Sequence, residues 1–408
     1  MNGYLAFARR HRRHLGFGLL LWFGSSPGQT FFIGLFAAAM REDFGLTLGN
    51  FGDLYLIATV SSAVMLALFG RLADTASLRL CALVALGGLA VASAVMASAT
   101  GVVVVTLALF GLRFTGQGLL PHIGTVAMVR HFAAARGRAL AITALGLPLG
   151  EGVLPLVALA LIGALGWREA WLVTAAFVGL VLLPAALWLL AERGGPVPEA
   201  AAGGGARSVR DGADRTRSEV LHDVRFWMLL AATMCFPFLT TGTLFYQTYI
   251  AAAKGWPLAL MAAGLATFAV SRVVMSLVTG PLIDRLSARR LLVWMYLPYA
   301  LSFAALAAFD HPAGGLVSYV LHGVAFGMLI PISGAVWPEL YGTRHVGSIR
   351  SLWIAASVAG SALAPSVFGH AFDGGIGIGT VAFAAIGLCV VSGLLAALAV
   401  RRSEPMPR

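Results

Sequence analysis

The sequence predicts an all-α membrane protein with 12 transmembrane helices in two pseudo-symmetric six-helix bundles, and three observations carry that prediction. Hydrophobic residues make up 59% of the 408 and charged residues 11%, less than half the charge usual in soluble domains. Twelve stretches hold the roughly 20 largely uncharged residues that a helix needs to cross a bilayer. The segment Gly70-Arg71-Leu72-Ala73-Asp74 returns 210 residues later as Gly280-Pro281-Leu282-Ile283-Asp284.

The repeat extends well beyond that segment. The same ungapped offset pairs Ser61 with Ser271, Met65 with Met275, Arg79 with Arg289, Pro121 with Pro331, Gly150 with Gly360 and Pro155 with Pro365. One offset holding over so much chain implies two copies of one architecture, a period far longer than a solenoid unit. In an apolar chain it points to a transporter built from paired bundles.

The spans are expected near 14–40, 50–70, 80–98, 102–128, 139–164 and 170–191 in the first half. In the second half they are expected near 225–248, 258–280, 291–309, 314–338, 350–371 and 379–400. The domain expectation is an N-terminal bundle over 1–191, a linker over 192–224 and a C-terminal bundle over 225–408. The linker is rich in Gly, Ala, Arg and Asp and lacks apolar periodicity, the composition of a flexible tether.

The net charge of +11 suggests a nucleic-acid partner until the cations are sorted by loop. Alternate loops hold 23 arginines on one side, against Arg41, Arg168 and Lys254 on the other. That bias sets both termini in the cytoplasm of a multi-pass protein of the cell inner membrane, and the charge reports topology and attraction to anionic lipid. The N-terminus, basic and then apolar, superficially resembles a signal peptide, but its apolar run continues to Met40 and is expected to be a retained first span. Cys81, Cys235 and Cys389 all fall in apolar spans without paired spacing; no disulfide and no metal site is expected.

The first span carries Ser25-Ser26-Pro27-Gly28-Gln29-Thr30. A polar, helix-weakening cluster at membrane depth faces either protein or a wet cavity, so Gln29 either packs or lines a cavity. The repeated motif follows the second span in a short loop. Gly70-x-x-x-Asp74 and Gly280-x-x-x-Asp284-Arg285-x-Ser287-x-Arg289-Arg290 resemble the signature loop of the major facilitator superfamily. The first copy departs from the pattern at Thr75, where an Arg is usual, and at Ser77, where a Gly is usual.

The resemblance implies secondary transport with no enzymatic activity and no cofactor. It also implies a latch in which Gly70, Asp74, Arg79, Gly280, Asp284, Arg285 and Arg289 hold one side closed. Each Asp would face a helix N-terminus of the opposite half, where an anion is favoured by the helix dipole. The bland alternative is a turn that merely solvates the loop.

The fourth span contains Leu112-Arg113-Phe114-Thr115-Gly116-Gln117-Gly118, similar to a second superfamily motif whose Arg is tied to proton coupling. A charge at mid-span costs at least about 2.5 kcal/mol, so Arg113 should face the bundle interior and find a partner. Glu151, at comparable depth in the fifth span, is the expected one. The pair either couples protons or fixes two helices together.

In the eighth span, Arg272 stands where the repeat places Ser62. No acid is expected at that depth in spans seven to twelve, so an anionic ligand would supply the missing charge, and a guanidinium fork suits carboxylate or phosphate. The alternative is an arginine that snorkels or bonds carbonyls. An eighth-span Arg of this kind is similar to that of the monocarboxylate transporter and oxalate/formate antiporter branches. The second basic residue of the oxalate branch is missing from Trp353-Ile354-Ala355-Ala356-Ser357, so a monoanion fits better than a dianion.

The expected cargo is therefore a small organic anion, a monocarboxylate, bound by Arg272 with Gln29, Tyr246, Gln247 and His322, the last as a hydrogen-bond donor. Glu151 is the expected proton-linked group. The other partner is the lipid bilayer, with no nucleic acid, and the chain is expected to act as a monomer. The competing reading is a drug or metabolite exporter with a promiscuous apolar cavity.

Overall fold

A computed structural model describes residues 2–69, 76–132, 135–191, 215–342 and 344–401. Among the described residues the only regular secondary structure is helical, and the chain divides into two compact units, Met1–Gly204 and Gly205–Arg408. Eleven helices are long and apolar enough to cross a membrane. The twelfth span is broken into two pieces, giving six spans per unit and the 12-helix, two-bundle fold expected from the sequence.

The first unit opens with α1 (Asn2–Arg10) and then the broken first span, α2 (Arg12–Gly24) and α3 (Thr30–Phe44), joined by a 3₁₀ turn over Ser26–Gly28. Pro27 has no N–H to continue the helical ladder, and Ser25 and Ser26 turn their hydroxyls onto the carbonyls of Trp22 and Phe23, at 2.7 Å each. Helices α4 (Leu48–Phe69), α5 (Leu78–Ala97), α6 (Val102–His131), α7 (Arg136–Leu165) and α8 (Trp167–Leu189) complete the bundle. Gly45, at φ 61°, lets α3 end in a left-handed turn.

In the second unit a short α9 (Arg217–Leu221) precedes the seventh span. It occupies the last part of the stretch expected to be a flexible linker. Thr216 and Glu219 close a capping box on it, Val220 is buried, and Arg215 pairs with Asp223 at 3.0 Å. The seventh span is α10 (Val224–Phe245) with the short α11 (Gln247–Ala253). The rest are α12 (Leu258–Leu286), α13 (Ala288–Ala308), α14 (Pro312–Tyr341), α15 (Val346–Asp373) and α16 (Ile378–Arg401).

Helices α12 and α14 pack without a side-chain layer between them. A Cβ on Gly323 would overlap the Ser271 hydroxyl and the Phe268 carbonyl, and one on Gly327 would overlap the Arg272 carbonyl. Small residues four apart are how membrane helices approach so closely.

The repeat also shows in the ties at the end of each unit opposite the chain termini. Arg168 donates to the carbonyl of Ala99 at 3.2 Å and pairs with Asp43, which also accepts from the Trp167 indole at 2.8 Å. Lys254 donates to the carbonyl of Phe309 at 3.2 Å and pairs with Asp310 at 2.7 Å. Ala99 and Phe309 are repeat mates, so both bundles secure the same corner with a cation on the same carbonyl.

The second copy of the motif is placed differently from expectation. Gly70 and Asp74 lie outside the described residues. The second copy is not a loop: Gly280, Asp284 and Arg285 belong to the last turns of α12, with Asp284 and Arg285 exposed. The reversal falls on Ser287 alone, at φ 72° and ψ 151°. Arg289 is tied inside its own unit, where the Glu339 carboxylate accepts from the backbone N–H groups of Ala288 at 2.9 Å and Arg289 at 3.3 Å, and the Arg289 side chain reaches the Glu339 carbonyl. The Arg79 side chain caps the C-terminal carbonyl of Leu190 at 3.2 Å.

Candidate functional site

Among the described residues each unit carries one buried arginine, in a polar and aromatic setting. In the first unit the break between α2 and α3 decides the arrangement. Phe32 and Ile33 take the Gln29 carbonyl as their acceptor, which leaves the Gly28 carbonyl turned toward α6. A Cβ on Gly28 would overlap the Leu112 carbonyl and the Gly116 backbone, so only glycine permits this approach. The facing stretch of α6, Leu112–Leu119, is π-helical, a distortion that concentrates at functional positions.

From that π segment Arg113, 1% exposed, donates through Nε to Thr59 at 3.1 Å and through NH1 to the Gly28 carbonyl at 3.1 Å. Its guanidinium also lies 4.8 Å from the centre of the Tyr55 ring, whose hydroxyl meets Thr30 at 2.6 Å. The expected partner was Glu151. The structure instead satisfies Arg113 with a carbonyl freed by the helix break, a hydroxyl and a ring face, a set that shares out the charge without a second buried ion. Glu151 is also buried, at 5%, on α7 next to Gly150, which packs against Ser26 of the same break. Gln29 is half-buried and donates to Ser25 at 3.3 Å.

In the second unit Arg272 is 6% exposed in the middle of α12. Its guanidinium lies 5.4 Å from the Phe268 ring centre and 5.8 Å from that of Phe326. His322, on α14, packs against the same aromatic group, 5.7 Å from Phe268 and 4.9 Å from Tyr299. Its Nε2 is 2.9 Å from Thr240 on α10. Gln247 is buried beside Tyr319, whose hydroxyl is 3.4 Å from its Oε1. Arg272 and His322 therefore share one neighbourhood, and Gln247 joins His322 around a cavity of about 20 Å³.

Tyr246 belongs to this unit but is engaged elsewhere: its hydroxyl donates to the Pro365 carbonyl on α15 at 2.7 Å. Sequence reasoning missed Thr59, Phe268, Tyr299 and Tyr319. Thr59, Phe268 and Tyr319 lie three or four residues from Ser62, Arg272 and His322 on the same helix, a weak signal; Tyr299 carries none.

Both units also hold an apolar crevice at equivalent places. One, of about 320 Å³, is lined by Phe23, Pro27, Phe32, Val157, Ala158 and Thr174; the other, of about 250 Å³, by Phe238, Val367, Phe368, Ala371 and Ala384 among others. Val157 with Val367, Ala158 with Phe368 and Thr174 with Ala384 are repeat mates. Among the described residues no group of three or more His, Cys, Asp or Glu side chains is placed to hold a metal ion. Cys235 and Cys389 are both buried, with their sulfurs 3.8 Å apart.

Known structures share this architecture. A crystal structure of a bacterial homolog of the human lysosomal transporter Spinster, inward-facing and unoccupied, superposes with a TM-score of 0.70 at 15% identity, covering 98% of this chain and 99% of that one. The nucleoside transporter NupG superposes with a TM-score of 0.70 at 16% identity, covering 95% and 98%. At such identities the likeness speaks for the fold alone. No curated protein sequence matches the chain. The family model of the Major Facilitator Superfamily matches residues 18–271 and 246–408, and the chain belongs to that superfamily as a membrane transporter of small molecules, not an enzyme.

Proposed function

We propose that this transporter moves a small organic anion, a monocarboxylate, by alternating access, with Arg272 as the charge that recognises it. The observation that carries the reading is a guanidinium buried at 6% among aromatic rings in mid-span, at a position the repeat fills with serine in the other half. Ser62 is itself buried and donates to the Thr59 carbonyl at 2.8 Å, so folding the bundle does not call for an arginine here. A planar cation in a setting of low dielectric binds a carboxylate far better than it would in water.

In the same reading Gln247 and His322 line the site beside Arg272. Glu151 carries the coupled proton, the termini lie in the cytoplasm, and the membrane is the cell inner membrane. The 23-to-3 sorting of cations between loops supports that orientation. The exposed Asp284 and Arg285, with Gly280, Arg79 and Arg289, act in closing the terminus-bearing side.

A second reading, export of apolar compounds, draws on the crevice of about 320 Å³ in the first unit. A thermal-shift screen of the purified protein separates the two, because a ligand at 100 times its Kd stabilises the fold by about 2.7 kcal/mol. Monocarboxylates should raise the midpoint, and their uncharged amides should not. Stabilisation by the amides and not the acids would favour the exporter.

A further inference from the structure

The two apolar crevices, one in each unit, are built from corresponding helices. In the first unit α7 and α8 form the walls, and the broken span forms the floor through Gly24, Pro27 and Phe32. In the second the walls are α15 and α16, and the floor is Phe238 and Leu239 of α10, just past Pro237. Pro237 is the repeat mate of Pro27. Val153, Val157 and Val173 at the first crevice are exposed, as are Val367 and Leu388 at the second. Both crevices are therefore continuous with the exposed apolar face that the same helices carry, at Leu156 and Leu172 in one unit and at Leu363 and Phe383 in the other. That face is the surface a spanning helix turns to the bilayer.

What fills such a space follows from its walls. Among the described residues the lining holds one hydroxyl per crevice, Thr174 in the first and Thr380 in the second. Thr174 gives its hydrogen to the Ala170 carbonyl at 2.8 Å, so water entering the first crevice finds almost nothing to bond. Leaving the space empty forfeits the dispersion contacts of every wall atom. An apolar cavity of about 150 Å³ already stays dry and takes up hydrocarbon, and these reach about 320 and 250 Å³. The hydrocarbon within reach is a lipid tail.

We propose that each crevice seats one acyl chain of a bilayer phospholipid. In the first unit the chain rests on the break that turns the Gly28 carbonyl toward Arg113, so the lipid supports that arrangement from the membrane side. The duplication makes both seats part of the scaffold, and it takes the larger crevice away from an apolar cargo. The anion reading does not depend on it.

Photolabelling of the full-length protein tests the seats. The probe is phosphatidylethanolamine with a diazirine midway along one acyl chain, diluted into vesicles of phosphatidylethanolamine and phosphatidylglycerol, with adducts located by mass spectrometry. Leu107 and Val317 serve as controls: they are repeat mates outside both crevices, 61% and 48% exposed against 48% for Val157 and 44% for Val367. Labelling at Val157, Leu161, Val367 and Ala371 is expected to exceed that at the controls by about 5-fold or more, because a seated chain holds its wall contacts. Val157→Trp and Val367→Trp fill the crevices from exposed positions. Each is expected to remove the excess at Leu161 or Ala371 of its own unit and to leave the other unit labelled. Labelling no higher in the crevices than at Leu107 and Val317, or an excess that survives both tryptophans, overturns the proposal.

Discussion

Arg113 donates a hydrogen bond to the main-chain carbonyl of Gly28, 85 residues upstream. This one bond joins two helical irregularities of the first unit, the 3₁₀ break in the first span and the π-helical segment of the fourth. Each irregularity explains the other: the break turns the carbonyl outward, and the π turn brings the arginine to it. Replacing Arg113 with Met should remove two charge-assisted hydrogen bonds, at about 1.5–3 kcal/mol each. Gly28→Ala should cost about 1–3 kcal/mol by overpacking against the Gly116 backbone. The two sites touch, so a double-mutant cycle on unfolding in detergent should show a loss smaller than the sum; full additivity would mean that they are not coupled.

Ser287 carries the second unit's sharpest backbone irregularity. At φ 72° and ψ 151° it occupies a region that is nearly confined to glycine and costs other residues about 1–3 kcal/mol. Ser287→Gly should therefore raise the unfolding midpoint, while Ser287→Ala should not. Equal midpoints for the two variants would show that the turn is unstrained.

Asp223 caps α10 and is clamped by two arginines. Burial raises its pKa, but the hydrogen bonds and charge of Arg225, with the charge of Arg215, outweigh that and hold the carboxyl below the usual 3.8. A depressed carboxylate contributes stability in full above its unfolded value and loses it as the pH falls through its folded value. The wild type should thus lose stability more steeply below about pH 4 than Asp223→Asn, which can still cap the helix. Matching pH profiles would show that the charge contributes nothing.

Glu151 is buried in a mid-span position beside the helix break. Protonation changes its charge and so biases whichever state hydrates it better. Glu151→Gln should make uptake independent of an imposed pH gradient while the protein remains folded. An unchanged gradient dependence would remove Glu151 from the coupling.

Much of this was legible in the chain. Span ends follow apolar run length, and the 210-residue repeat set the two bundles. The helix weakness at Ser25–Gln29 could be read from Pro27 and its polar neighbours. The partner of Arg113 could not: depth matching considers only side chains of opposite charge, and the group that took the guanidinium is a carbonyl, which every residue has. The end of α12 was misplaced for a related reason. Pro281 and Asp284 look like loop residues, yet proline keeps a helical φ, and an exposed final turn tolerates charge. The contact of His322 with Thr240 joins helices 82 residues apart, which no local pattern contains.

On the proposed function, one buried guanidinium recognises the cargo as an anion. Counterflow uptake of radiolabelled monocarboxylates into proteoliposomes, comparing wild type with Arg272→Gln, tests it most directly. The account predicts that Gln abolishes carboxylate uptake while the unfolding midpoint shows the variant still folded. Carboxylate uptake by Arg272→Gln at the wild-type rate would contradict it.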